Sequence, residues 1–147
     1  MAFVGCFGSV PKSYLLLQAR AAHLCEPVLH LAFCDAFSLA YTTPQPPPSF
    51  PIPRFTVAAD GGGADTPGNL LHLYLQYGRH LRHRILAPLA FVLHDAKRGV
   101  LLLGATGRRR CYFEKTAGGV WFSSDPHLLR APCAAELVLL RQKMLPL

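Results

Sequence analysis

Apolar and polar positions alternate along this chain with two different periods, and the places where the period changes mark the elements. Phe3-Val4-Gly5-Cys6-Phe7-Gly8-Ser9 is a short apolar run broken by glycines, which predicts a small buried strand ending in a turn. From Tyr14 to Ala40 the apolar residues are almost continuous, with Pro27 among them. This run fits either a buried helix interrupted at Pro27 or two buried strands, and periodicity does not separate them. Thr42 to Pro53 holds six prolines, which remove backbone donors and bias the chain to polyproline II, so a surface connection is predicted. Phe55 to Ala59 alternates as a strand, and Asp60-Gly61-Gly62-Gly63 ends it.

A helix follows. Asp65 or Thr66 stands at the N-cap with Pro67 just inside, and Leu70, Leu71, Leu73, Tyr74, Tyr77, Leu81 and Ile85 recur at helical spacing. Its polar face carries Gln76, Arg79, His80, His83 and Arg84, and Pro88 stops it. Leu89 to His94 and Val100 to Leu103 then flank the turn-forming Asp95-Ala96-Lys97-Arg98-Gly99, the pattern of a β-hairpin. Cys111 to Glu114 and Val120 to Ser123, joined through Thr116-Ala117-Gly118-Gly119, predict a second hairpin. Asp125-Pro126 opens a last stretch, expected to be helical, running to Leu147.

Composition narrows the class. With 147 residues, 51% hydrophobic and 16% charged, the chain has material for one core and reads as a single domain, residues 1–147, not as a disordered tail. The longest apolar stretch, Ile85 to Leu93, carries Pro88 and is about half of what a bilayer span needs, so no membrane segment is expected. The start of the chain lacks the basic flank and apolar run of a secretory signal, and a cytoplasmic location is the expectation. Five cysteines form no CxxC pair and read as reduced thiols. The formal net charge of +7 is concentrated in Arg79, Arg82 and Arg84 and in Arg108, Arg109 and Arg110, which allows a polyanionic partner without specifying one.

Gly63-Ala64-Asp65-Thr66 followed by LLHLYLQYG, then LAFVLHDAKRGVLLLGATG, then CYFEKTAGGVWFSSDPHLL, resembles the class II glutamine amidotransferase domain of the asparagine-synthetase family. There a G-S-D-T-E segment opens a helix ending Y-G. A hairpin of the form F-A-F-x-x-W-D...L-L-L-A-R-D follows, then G-x-x-P-L-Y-Y and G-L-L-F-A-S-E. The likeness covers roughly residues 61–130, and Phe3 to Gly8 resembles the family's first strand. It implies an α+β fold of the Ntn-hydrolase type, stacked antiparallel sheets with flanking helices. It also implies chemistry in which an N-terminal Cys attacks the glutamine side-chain amide with its own α-amine as base.

The sequence departs from that pattern where the chemistry sits. Aligning Val4-Gly5 and Phe7-Gly8 with the family strand puts Ala2, not Cys, at its start. Cys6 is then a candidate substitute nucleophile, although inside a strand its amine is locked in a peptide bond. The segments that hold the glutamine carboxylate and build the oxyanion site are not recognisable, so glutamine itself is a doubtful ligand. Asp65 maps onto the acid that pairs with the substrate α-ammonium, and it would equally serve as a helix cap worth about 1 kcal/mol. Degenerate forms of this kind imply a domain without glutaminase activity beside an ATP-dependent amide-forming synthetase, of asparagine-synthetase, lasso-peptide-cyclase or β-lactam-synthetase type. Nothing here matches the S-G-G-x-D loop of the adenylating C-terminal domain. The expectation is therefore no cofactor in this chain, with ATP and Mg entering only through a synthetase partner domain or subunit.

Other constellations carry less. His23, Cys25, His30 and Cys34 lack the paired spacing of a zinc site, so no metal is expected. Ser123, His94 and Asp95 could be drawn as a triad, but no nucleophile elbow surrounds any serine. The arginine runs leave a basic nucleic-acid-binding module as an alternative, without a module motif to support it.

Overall fold

The structure, a computed structural model, describes residues 2–8, 29–34, 37–42, 54–63, 65–116 and 118–141, with backbone alone for 29–34 and Thr42. Two antiparallel sheets stack face to face. The six-stranded sheet contains β1 (Ala2–Gly8), β2 (Leu29–Cys34), β3 (Phe37–Thr42), β7 (Cys111–Thr116), β8 (Gly119–Ser123) and β9 (Cys133–Ala135), in the order β2-β3-β1-β8-β7-β9. The four-stranded sheet contains β4 (Phe55–Gly61), β5 (Leu89–Asp95), β6 (Val100–Ala105) and β10 (Leu137–Arg141), in the order β10-β6-β5-β4. A helix, α1 (Thr66–Tyr77), continues as a 3-10 helix over Gly78–Arg84 and covers the outer face of the smaller sheet. The fold is α+β, with two stacked antiparallel sheets and a helical layer on the outer face of the smaller one.

The layers follow from strand alternation. On the six-stranded side Phe3, Phe7, Phe37, Leu39 and Phe122 point inward, against Ala58, Ala90, Val92, Leu101 and Leu103 of the other sheet. Bulky rings from one sheet thus meet smaller side chains from its partner. The alternate residues of the four-stranded sheet, Phe55, Val57, Phe91, Leu93 and Leu102, point out and pack under Leu70, Leu71, Tyr74 and Leu81. All of β5 is buried because both its faces are covered, which is why it reads as a continuous apolar run.

Two glycines let rings cross strands at close range. A Cβ on Gly5 would lie 2.4 Å from the Ser38 carbonyl oxygen and 2.5 Å from the Phe122 ring, and one on Gly104 would lie 2.5 Å from the Phe91 ring. Both rings belong to directly paired neighbours, Gly5 with Phe122 and Gly104 with Phe91.

Both hairpins and the first strand fall where their patterns place them, and the apolar run before Ala40 ends in strands over 29–34 and 37–42. Its earlier part and the proline-rich segment lie outside the described residues. The stretch after Asp125-Pro126 is the correction. It makes a short 3-10 turn, Pro126–Leu128, and then strands β9 and β10. Leu137 to Leu140 gain ladder bonds from β6, with Leu137 and Leu139 packing in the cluster of Phe91 and Leu102 and Val138 and Leu140 against the inter-sheet core, a non-local gain that outweighs local helix preference. Among the described residues no helix is long and apolar enough to cross a membrane.

Candidate functional site

The two residues that the family resemblance singles out occupy different parts of the sandwich. Cys6 lies mid-strand in β1, 2% exposed, and points to the outer face of the six-stranded sheet with Val4, Ala40, Trp121, Leu128 and Leu129. Alternation along β1 turns it away from the other sheet, since its neighbours Gly5 and Phe7 take the inward positions. Asp65 is exposed at the start of α1, after β4 at the edge of the four-stranded sheet. The structure does not bring Cys6 and Asp65 together.

The loop that carries Asp65 is held from within. Thr66 Oγ1 accepts the Gly63 N–H at 2.8 Å. Gly62 has φ +70°, and a Cβ there would sit 2.2 Å from that same Oγ1, so the tight approach needs a glycine. Asp65 adopts helical backbone angles and makes no side-chain cap bond; among the described residues its carboxylate accepts only a long bond from Asn69 Nδ2, 3.4 Å. The expected side-chain cap is therefore absent; the Asn69 N–H donates to the Asp65 carbonyl at 3.0 Å as the ordinary first bond of the helix. Its carboxylate is left facing solvent.

Next to this loop, Thr106 Oγ1 donates to the Ala87 carbonyl at 2.7 Å and accepts the Leu89 N–H at 3.1 Å, tying the segment after the helix to the end of β6. Arg109 pairs with Asp60 at 3.2 Å. The head of β1 is equally fixed. Phe3 donates its N–H to Ser124 Oγ, and its carbonyl accepts from Ser123 Oγ and the Ser124 N–H. Ala2, half-buried, begins this pinned strand with a methyl group.

The serine, histidine and aspartate of the notional triad are separated by their surroundings. Ser123 Oγ is spent on Phe3, His94 lies between Phe7 and Phe37 in the inter-sheet core, and Asp95 faces the helix layer. Burial lowers the His94 pKa to about 4, against a smaller upward pull from Asp95, so the ring is neutral. Burial alone would raise Asp95. The Arg54, Arg98 and Tyr74 hydrogen bonds and the Arg54 charge outweigh it and hold the carboxylate below its ordinary range. Arg54 grips Asp95 with two bonds, 3.0 and 2.7 Å, and the Tyr74 hydroxyl donates to it at 3.1 Å. The hairpin pattern places Asp95 in a turn, whereas it is the buried last residue of β5, and the apolar run of that strand is the signal for its burial.

Among the described residues no group of three or more His, Cys, Asp or Glu is placed to hold a metal. His23 and Cys25 lie outside the described residues. The basic runs divide: Arg82 Nε donates to the Ala105 carbonyl, Arg84 stacks over the Tyr77 ring, and Arg79 turns to an open groove beside the β5–β6 turn.

No family profile matches the sequence, and no curated protein matches it either. The fold does have a solved counterpart. Glutamine phosphoribosylpyrophosphate amidotransferase from B. subtilis, in its complex with ADP and GMP, superposes with a TM-score of 0.71 at 8% identity, over 97% of this chain and 48% of that one. At that identity the likeness is one of fold, and this chain spans about half the length of the amidotransferase chain. The architecture is thus that of an Ntn-type glutamine amidotransferase.

Proposed function

We propose that the chain is an amidotransferase-like domain of the asparagine-synthetase kind that has lost glutaminase activity and serves as the structural partner of an ATP-dependent amide-forming synthetase. The observation that carries this reading is the head of β1. The strand is fixed at both Phe3 backbone groups, yet it begins with Ala2, and Cys6, four residues further along, is buried mid-strand in the outer-face cluster with Trp121 and Leu128. Supporting it are the order of helix and hairpins after Asp65, which is that of the resemblance, and an Asp65 carboxylate with no cap to serve. ATP and Mg would be bound by the synthetase, not by these residues.

Two measurements test it. Glutamate release from saturating glutamine should equal the protein-free blank, and a partner bearing an adenylating domain should co-purify with the tagged chain. Glutaminase turnover abolished by Cys6→Ala would sink the first half. Retention of no such synthetase from the source cells would sink the second.

A further inference from the structure

Four cationic side chains line one open groove of about 910 Å³, formed between the end of α1, the β5–β6 turn and the edge strand β10. We propose that this groove is a binding site for a small, multiply charged oxyanion of the phosphate class, held by Arg79, Lys97, Arg98 and Arg141.

Charge balance is the first ground. No acidic residue lines the groove. The nearest buried acid, Asp95, is already matched by Arg54, and Arg98 Nε stands 4.0 Å from it as a second, redundant cation. Of the arginines elsewhere in the two basic runs, Arg82 is engaged on a carbonyl, Arg84 on an aromatic ring, Arg109 on Asp60 and Arg110 on the Arg109 carbonyl. Arg79, Lys97 and Arg141, by contrast, have no ion-pair partner among the described residues. Like charges gathered on concave walls repel one another, and a bound anion removes that cost.

Shape is the second ground. The volume is that of a small-molecule site, and the cations stand around a hollow instead of along a ridge that would follow a polymer. Gly78 and Gly99 open the backbone at its rim, where an oxyanion can approach closely. Tyr74 and Leu139 give one wall an apolar surface. Three of the four cations are arginines, whose forked guanidinium groups match adjacent phosphate oxygens in pairs.

The test is a calorimetric titration of the full chain with inorganic pyrophosphate at low ionic strength. Saturable binding is expected, weakened about tenfold by Arg79→Ala and by Arg141→Ala and unchanged by Arg108→Ala, with far-ultraviolet circular dichroism confirming that each variant is folded. Citrate, of similar charge but without phosphorus, should bind at least about tenfold more weakly. ADP distinguishes a phosphate ester from the free anion: binding tighter than pyrophosphate places the organic part on the Tyr74 and Leu139 wall, and equal binding places recognition in the phosphates alone, both within the proposal. No saturable pyrophosphate binding, equal weakening by Arg108→Ala, or tighter binding of duplex DNA or a poly-glutamate peptide would each overturn it.

Discussion

The imidazole of His94 lies face to face with the ring of Phe37, centroids 4.2 Å apart and planes 10° from parallel, so a titratable side chain of one sheet is stacked on an aromatic of the other. A charge there would be carried into the inter-sheet core. The folded pKa of about 4 lies below the unfolded value of 6.5, so the unfolded chain takes up the proton first as pH falls. Stability is then complete above about pH 6.5 and declines between there and about pH 4, with a loss of about 2 kcal/mol by pH 5. Urea unfolding midpoints at pH 7.5 and pH 5 will measure it. His94→Phe should flatten the difference, and an unchanged slope in that variant would refute the assignment.

Asp95 behaves in the opposite sense. Its carboxyl is held below the ordinary range in the folded state, so its contribution is present at neutral pH and is lost only as pH falls through the acid range, below the window of His94. Asp95→Asn keeps the shape but leaves Arg54 without its counter-charge. Because Arg54 is partly exposed, the expected cost is about 2 kcal/mol, less than for a fully buried pair. Tyr74→Phe removes one bond to the carboxylate and should cost about 1 kcal/mol. Equilibrium unfolding in urea distinguishes the two.

The glycines beneath crossing rings should resist even one methyl group. Gly104→Ala meets side-chain atoms alone, the Phe91 ring at 2.5 Å and Leu137 Cδ1 at 3.2 Å, and should cost about 1 to 3 kcal/mol. Gly5→Ala meets the Ser38 backbone oxygen as well, so it should cost more than Gly104→Ala. Thermal unfolding of the two variants side by side gives the ranking, and equal midpoints would contradict it.

Thiol accessibility separates three cysteines. Cys133 is exposed, whereas Cys6 and Cys111 are buried and burial pushes the Cys111 thiol up to about 12. Brief treatment of the native protein with an alkylating reagent, followed by peptide mass spectrometry, should modify Cys133 and spare Cys6 and Cys111. Fast labelling of Cys6 would reopen it as a nucleophile.

Restoring the missing thiol should not restore the reaction. Ala2→Cys adds a sulfur at the head of β1 but no oxyanion donors, each of which is worth about 10²- to 10³-fold in rate. Glutamate production by this variant should stay at a trace, and robust turnover would show that a donor set exists in the fold.

Much of this architecture was legible where the causes are local. Gly99 and Gly118 mark their hairpin turns with positive φ, and the Thr66-Pro67 start of α1 sits where turn chemistry demands it. The strands of 29–34 and 37–42 were not separable from a helix, because a near-continuous apolar run carries neither the alternation of a strand nor the period of a helix. β10 was missed for another reason: Leu137 to Leu140 become a strand only by pairing with β6, a partner distant in sequence. The helix start at Asp65 was readable from its motif, while the Arg54, Tyr74 and Asp95 cluster depends on three elements meeting and leaves no periodic trace.

Glu136 alone separates β9, the last strand of one sheet, from β10, the last strand of the other, and its carbonyl accepts the Ala105 N–H between them. The sandwich is therefore bound along one side like the spine of a book. The two pages cannot be slid past each other there without breaking the peptide itself, and a protease cut beside Glu136 would loosen both outer margins at once. Any opening of the molecule that leaves the chain whole must start from the far side, where β2 and β4 form the opposite margins.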